Sequence, residues 1–347
     1  MQGRGGFFSN GGVAIPSKFM QSLIVNRGTL KGMLRKRQTG GRYVALIIAM
    51  AVLSYYVWSY PRIQPFRQDP AQVSYAEGTG HDLAVTNSLG MVFRLIPSGI
   101  YERGSPPSER GRRDDEFAHP VRISTPFYMA ATPVTQAHYE AVMGHNPSFF
   151  DGHSNRPVEY VTWEEALLFC NALSRSERLE EVYEREDGHW HFREERAGYR
   201  LPTEAEWEFA CRAGTRTPFY TGRANPVPLG RDNAWRAAWH RHNAHGRTQP
   251  VALREPNAWG LYDMLGNVWE WCWDWYAPYS RTVDPLMTGP ARGTARVIRG
   301  GSWYSTTRDT RCASRSARDP ALPWNSLGFR VVLPVAAHRK VTIENHE

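Results

Sequence analysis

Apolar and polar positions recur at helical spacing in three segments, and each segment carries residues that cap a helix. In VTWEEALLFCNAL, Thr162 and Glu165 stand three residues apart, which is the spacing of a capping box. The same pair recurs as Thr203 and Glu206 in LPTEAEWEFACRAGT. The other assignments are an N-cap at Thr135, C-caps at Gly144 and Gly214, and a buried helix face at Ala166, Leu167, Phe169, Cys170 and Leu173. The pattern thus predicts three helices.

Alternation with a period of two predicts strands elsewhere. WEWCWDW, residues 269–275, alternates tryptophan with other residues, which predicts a strand with one wall of tryptophans in the core. GMVFRLIPSGIYERGS, residues 90–105, has apolar runs broken by Pro and Gly, and it predicts short strands around turns. His189 and His191 in DGHWHF are expected on a surface hairpin. Few helices among many turns indicate an irregular α+β domain.

An uncharged apolar segment, YVALIIAMAVLSYYVWSY, occupies residues 43–60. As a helix at about 1.5 Å per residue it is long enough to cross a bilayer, and the basic residues before it predict an N-in orientation. A cleaved signal peptide fits less well because a long region precedes the segment and no small-residue cleavage site follows it. A buried core helix fits less well because the segment has no polar face.

This segment divides the chain into five predicted parts. They are a basic cytoplasmic tail at 1–42, a transmembrane anchor at 43–60, a stalk at 61–88, a folded domain at 89–335 and a C-terminal tail at 336–347. The orientation and the single anchor predict a bacterial inner-membrane protein whose domain lies in the periplasm.

The net charge of +8 comes from the first 42 residues, which hold eight basic side chains and no acidic one. The rest of the chain balances at 34 basic and 34 acidic groups. A neutral domain argues against nucleic acid as the partner, because such binding needs a basic surface.

Four cysteines occur, at positions 170, 211, 272 and 312, without CxxC or zinc-ligand spacing. In an oxidising compartment at least one pair can be bridged, and the sequence by itself does not choose the pair.

Four segments together resemble one enzyme family in their order and spacing. They are GMVFRLIPSGIYERGS, GYRLPTEAEWEFACRAGT, NAWGLYDMLGNVWEWCWDWY and RVIRGGSWYSTTRDTRCASRSARDPALPWNSLGFRVV. The chain resembles the formylglycine-generating enzyme, or sulfatase-modifying factor, family over about residues 89–335. The resemblance implies a variant of the C-type lectin fold with little regular secondary structure.

Enzymes of that family oxidise a sulfatase cysteine with O₂, using copper held by two thiolates. The resemblance places the first thiolate three residues after Ser302, where this chain has Ser305, and the second within 306–310, which holds no cysteine. Copper is therefore not expected, because hydroxyl oxygens are poor ligands for Cu(I). The resemblance also implies a disulfide between Cys211 and Cys312.

The resemblance further implies a calcium site in YDMLGNVWE. Asp263 and Glu270 would supply side-chain oxygens, and Gly266 and Val268 would supply carbonyl oxygens, a mixture that suits Ca²⁺. The alternative is a surface turn with two solvated carboxylates. A transition-metal site at His240, His242 and His245 is a weaker interpretation, because no carboxylate accompanies them.

The segment from 302 to 324 combines aromatic and guanidinium groups that suit ligand binding. The candidate ligand-binding residues are Ser302, Trp303, Tyr304, Ser305, Arg308, Arg311, Arg315 and Trp324. The alternative is that Arg311, Arg315 and Arg330 are buried partners of core carboxylates.

These observations favour a membrane-anchored, non-oxidase binding or maturation module for a secreted protein, a peptide or an envelope component. An enzyme of the same family with altered chemistry on a secreted polypeptide is the alternative. A true formylglycine-generating oxidase is the least favoured.

Overall fold

The computed structural model describes residues 68–222, 233–279 and 289–337. The predicted cytoplasmic tail, the predicted anchor at 43–60 and the last ten residues of the chain lie outside these ranges. Within the described ranges, no helix is long and apolar enough to span a bilayer.

The described residues form five helices and fourteen short strands. The helices are α1 (Pro70–Thr79), α2 (Gln136–Met143), α3 (Trp163–Ser176), α4 (Glu204–Arg212) and α5 (Asn233–Ala237). The strands are β1 (Ala84–Thr86), β2 (Val92–Ile96), β3 (Gly99–Arg103), β4 (His119–Ile123), β5 (Phe127–Ala130), β6 (Tyr183–Glu186), β7 (His189–Phe192), β8 (Ala238–Trp239), β9 (Leu265–Gly266), β10 (Trp269–Trp275), β11 (Arg296–Arg299), β12 (Arg315–Arg318), β13 (Leu327–Gly328) and β14 (Val332–Pro334). The irregular α+β class is confirmed.

The three predicted helices begin at the predicted caps. Both capping boxes form, and the Thr135 side chain accepts a hydrogen bond from the N–H group of His138. The five predicted buried residues of α3 are fully buried. One detail differs at the end of α4, where Ala213 takes the left-handed conformation as the C-cap and Gly214 follows it with φ 83°.

Two four-stranded sheets organise the domain, in the orders β1-β2-β5-β14 and β12-β11-β10-β13. In the second sheet β10 lies between β11, which is antiparallel, and β13, which is parallel. The prediction that β10 presents one wall of tryptophans is confirmed, since Trp269 and Trp271 lie in one hydrophobic cluster and Trp273 packs against it. The opposite face of this central strand is also covered, because Cys272 packs in the other cluster.

The predicted stalk is part of the folded domain from Asp69 onward. Gln72 donates a buried hydrogen bond of 2.5 Å to the Leu95 carbonyl, and Trp259 donates one of 3.0 Å to the Asp69 carboxylate. Strand β1 pairs with β2 in antiparallel register. The predicted stalk boundary at residue 88 is therefore wrong, because α1 and β1 contribute buried contacts.

Candidate functional site

A cleft of about 600 Å³ lies over the second sheet. Its lining residues come from five separate stretches of chain, and they are Arg113, Arg241, Gly246, Trp269, Ile298, Trp303, Tyr304, Ser305, Thr306, Asp309, Ser316, Ala317, Arg318 and Trp324. Strands β10, β11 and β12 thus supply one wall, and the loop that follows β11 supplies another.

The loop after β11 is positioned by two glycines in the left-handed region, with φ 94° at Gly300 and 77° at Gly301. A Cβ atom at Gly301 would lie 2.8 Å from the Thr310 side chain. The Ser302 N–H group donates to the Ser305 hydroxyl over 2.9 Å, and the two hydroxyl oxygens are 3.3 Å apart. The tight turn therefore places a hydroxyl pair at the cleft edge.

The charged side chains of the cleft are three arginines and one aspartate. Arg113 forms an ion pair of 2.5 Å with Asp309. The Arg318 guanidinium lies 4.8 Å from the centre of the Trp324 ring. The Arg241 N–H group donates to the Ser305 carbonyl over 3.0 Å, which ties that arginine to the loop. The cleft thus combines aromatic surface with an excess of positive charge.

The structure brings four of the predicted ligand-binding residues to this cleft: Trp303, Tyr304, Ser305 and Trp324. Ser302 is buried directly behind them and contacts Ser305. Arg308 is exposed and donates to the Gly111 carbonyl.

Two predicted ligand-binding residues, Arg311 and Arg315, are instead buried in the core, so this part of the prediction is wrong. Arg311 pairs with Glu109 at 2.5 Å and with Glu116 at 2.6 Å. Arg315 forms two bonds, of 2.8 and 2.7 Å, with the carboxylate of Glu204. The alternative interpretation, buried arginines paired with core carboxylates, holds for both.

Glu204 is the centre of the larger of these ion-pair clusters. Burial alone would raise its pKa, but Arg315, Arg103 and Arg299 lower the pKa to about 2. Arg299 also pairs with Glu208 at 2.6 Å. These buried pairs hold β11 and β12 against α4, and so they fix the sheet that carries the cleft.

The predicted calcium ligands Asp263 and Glu270 are both buried, so the solvated-turn alternative is wrong. Glu270 accepts bonds of 2.6 and 2.7 Å from Arg330 and one of 2.7 Å from the Trp207 ring N–H. Asp263 accepts a bond of 2.7 Å from the Ala252 N–H group.

The Glu270 side chain therefore fits a buried ion pair better than a calcium ligand, since a cation would have to compete with the Arg330 guanidinium. Calcium binding at Asp263, Gly266, Val268 and Glu270 stays a prediction of the resemblance. Elemental analysis of the purified full-length chain would test it.

The predicted cysteine pair is adjacent in the structure. Cys211 and Cys312 are fully buried thiols in side-chain contact, and burial raises the pKa of Cys211 well above its ordinary value. Their disulfide stays a prediction.

The histidine candidates do not form a metal site. His240 is buried, while His242 and His245 are exposed, and the described residues contain no cluster of three metal-binding side chains. His189 and His191 lie exposed on the β6–β7 hairpin, as expected.

Sequence reasoning missed several residues of the cleft, including Arg113, Arg241, Asp309 and Arg318. Arg113 lies in a loop almost 200 residues before its partner Asp309. No local pattern marks such a pairing. Trp269 belonged to a recognised motif, but its alternating context indicated only a core wall.

Comparison with known proteins assigns the domain to a family. A family model described as "Sulfatase-modifying factor enzyme 1-like domain" matches residues 84–335, which is more than half of the chain. The chain belongs to this family. The resemblance stated from the sequence motifs is thereby confirmed.

Relatives within and around this family have different names. The chain is 36% identical over an alignment of 209 residues to a protein of Paenibacillus barcinonensis named "Chaperone protein LppX", and this match covers 52% of the chain. It is 37% identical over an alignment of 192 residues to the formylglycine-generating enzyme of Streptomyces coelicolor, and this match also covers 52% of the chain. The chain spans 70% of the first relative and about half, 53%, of the second.

Solved structures give the same fold. Treponema denticola variable protein 1 matches with a TM-score of 0.65 and 30% identity, over 73% of this chain and 99% of that one. PvdO from Pseudomonas aeruginosa matches with a TM-score of 0.60 over 72% of this chain and 97% of its own, and its 24% identity supports the fold alone.

The cysteines of this chain lie away from the cleft. Its four cysteines are all buried, with no measurable exposure, and none of them lines the cleft. The position that the resemblance assigns to the first copper-binding thiolate carries the hydroxyl of Ser305.

Proposed function

We propose that this sulfatase-modifying factor domain is a non-oxidase binding or maturation module that holds a secreted protein, a peptide or an envelope component in its cleft. One observation carries the proposal: the chain has four cysteines, and all four are buried away from the cleft. The resemblance places the two copper-binding thiolates at Ser305 and its neighbours. Copper bound in that way requires sulfur ligands, and this site contains none.

The geometry of the site supports a binding function. The glycine turn holds the Ser302–Ser305 hydroxyl pair in place, and Trp303 is fixed by its ring N–H bond of 3.0 Å to the Asn325 carbonyl. A concave site of fixed aromatic and charged groups loses little entropy when a ligand binds. The relative named as a chaperone protein is consistent with an assisting role.

We place the domain outside the cytoplasm on the basis of the apolar segment at 43–60 and the basic residues before it. In this arrangement the segment anchors the chain in the inner membrane with a single crossing, and the cleft meets ligands in the periplasm.

Site-specific photo-cross-linking in a bacterial envelope tests this function. A photoreactive amino acid replaces Tyr304, which is 67% exposed at the cleft, in the full-length chain. The matched control is Leu253, which is 50% exposed and does not line the cleft. We expect a secreted or envelope molecule to cross-link at Tyr304 and not at Leu253. Identical patterns at both positions would contradict the proposal.

A further inference from the structure

A row of four aromatic side chains runs from the cleft onto the open surface. The ring centroids are 5.0 Å apart between Phe149 and Phe150, 5.3 Å between Phe150 and Trp303, and 5.4 Å between Trp303 and Tyr304. We call these four residues the aromatic row. Its two ends, Phe149 and Tyr304, are 65% and 67% exposed.

The aromatic row is held rigidly although its ends are exposed. The Phe150 N–H group donates over 2.7 Å to the carboxylate of Glu159, which is fully buried. The Trp303 N–H group donates over 2.8 Å to the Asn267 carbonyl. Exposed aromatic surface with a fixed backbone is typical of recognition sites, because rigid rings give contact area at a low entropic cost.

Charge at the inner end of the row is unbalanced. Arg113 is paired with Asp309, whereas no ion pair joins Arg241 or Arg318 to a carboxylate in the part of the chain that the structure describes. The Nε atom of Arg318 is buried without a hydrogen-bond acceptor there. A guanidinium that faces a cleft without a carboxylate partner favours an acidic ligand group, which it binds through two parallel hydrogen bonds.

We propose that the cleft and the aromatic row together bind an extended polypeptide segment in which an acidic residue lies next to aromatic or aliphatic residues. This inference rests on the proposed function and names its ligand class. The carboxylate would lie at Arg318 and Arg241, and the apolar side chains would pack along the row. Three ring spacings of 5.0, 5.3 and 5.4 Å limit the length of the row to that of about five residues of extended chain.

Fluorescence anisotropy with three labelled hexapeptides tests this ligand class on the purified full-length chain. The first peptide has two aspartates flanking a Trp-Phe pair, the second has lysines in place of the aspartates, and the third has alanines in place of the aromatic pair. We expect the first to bind at least about tenfold more tightly than either of the others. Its affinity should fall between about 50 and about 300 mM NaCl, since paired charges are screened.

Variants locate the binding surface. Arg318→Gln and Tyr304→Ala are each expected to weaken the first peptide about tenfold, and Tyr304 is exposed enough that its removal leaves the fold intact. Leu253→Ala removes a comparable exposed apolar side chain elsewhere and should leave binding unchanged.

Equal affinity for the aspartate and lysine peptides, or no saturation of any peptide up to about 1 mM, would overturn the inference. If the lysine peptide binds and Tyr304→Ala weakens it, the acidic preference is wrong while the binding function stands. Cross-linking that does not distinguish Tyr304 from Leu253 contradicts the binding function itself.

Discussion

Replacement of Arg311 by methionine should destabilise the domain more than any exposed change near the cleft. The Arg311 guanidinium is the sole ion-pair partner of Glu109 and Glu116 among the described residues, at 2.5 and 2.6 Å. It also donates 2.9 and 2.8 Å bonds to the carbonyls of Gly111 and Arg308, which joins the 105–116 loop to the cleft loop. Methionine fills the same space but leaves two buried carboxylates without a cation.

Removing one partner of a buried ion pair costs about 3–5 kcal/mol, which for a domain of this size lowers the melting temperature by roughly 10 °C. The matched control is Arg308→Met, which removes an exposed side chain with one bond of 3.0 Å to Gly111 and should cost about 1 kcal/mol or less. Urea unfolding, followed by tryptophan fluorescence, measures the free energy of unfolding of both variants.

The loss of stability caused by Arg311→Met should also depend on pH. Burial already raises the pKa of Glu109 in the native protein, although Arg311 opposes this effect. Without the guanidinium, Glu109 takes up a proton more readily in the folded state, so the destabilisation should be larger at about pH 8 than at about pH 5. Equal stabilities for the Arg311 and Arg308 variants at both pH values would refute this account of the loop.

Three further predictions follow from the same structure. Burial raises the pKa of Glu159 from 4.5 to about 7, so the folded state holds this proton longer and the stabilisation is lost as the pH rises from about 4.5 to 7. Glu159→Gln should remove up to about 3 kcal/mol of the change in unfolding free energy across this pH range, measured by urea unfolding. An unchanged dependence of the unfolding free energy on pH would contradict this prediction. Gly301→Ala should cost about 1–3 kcal/mol more than Gly246→Ala in thermal unfolding, because both glycines have positive φ but only Gly301 has neighbours within 4 Å. A non-reduced digest should join the peptides of Cys211 and Cys312, and separate peptides would rule out their disulfide.

Local features of the fold were predictable because their partners lie close in sequence. Thr162 caps α3 through Glu165, three residues away, and the strand at 269–275 shows its own alternation. This alternation correctly predicted the wall of tryptophans, but it does not show that a second layer covers the other face of the strand, where Cys272 packs.

Long-range features of the site were not predictable from spacing. Arg311 and Arg315 look like exposed ligand groups because their carboxylate partners lie 202 and 111 residues away, at Glu109 and Glu204. Ser305 and Trp324 were placed through family motifs. Arg318 stands only six residues before Trp324, but it was missed because no local pattern shows that the end of β12 lines the cleft.

The most direct test of the central claim is an oxidation assay on the full-length chain. The purified protein is supplied with Cu(I), O₂ and a peptide that carries the CxPxR sulfatase motif, and the peptide is analysed by mass spectrometry. The formylglycine-generating enzyme of Streptomyces coelicolor serves as the positive control. The account predicts no formylglycine above the level without protein, because no thiol lines the cleft. Formylglycine that forms with this chain and is lost in Ser302→Ala would contradict it.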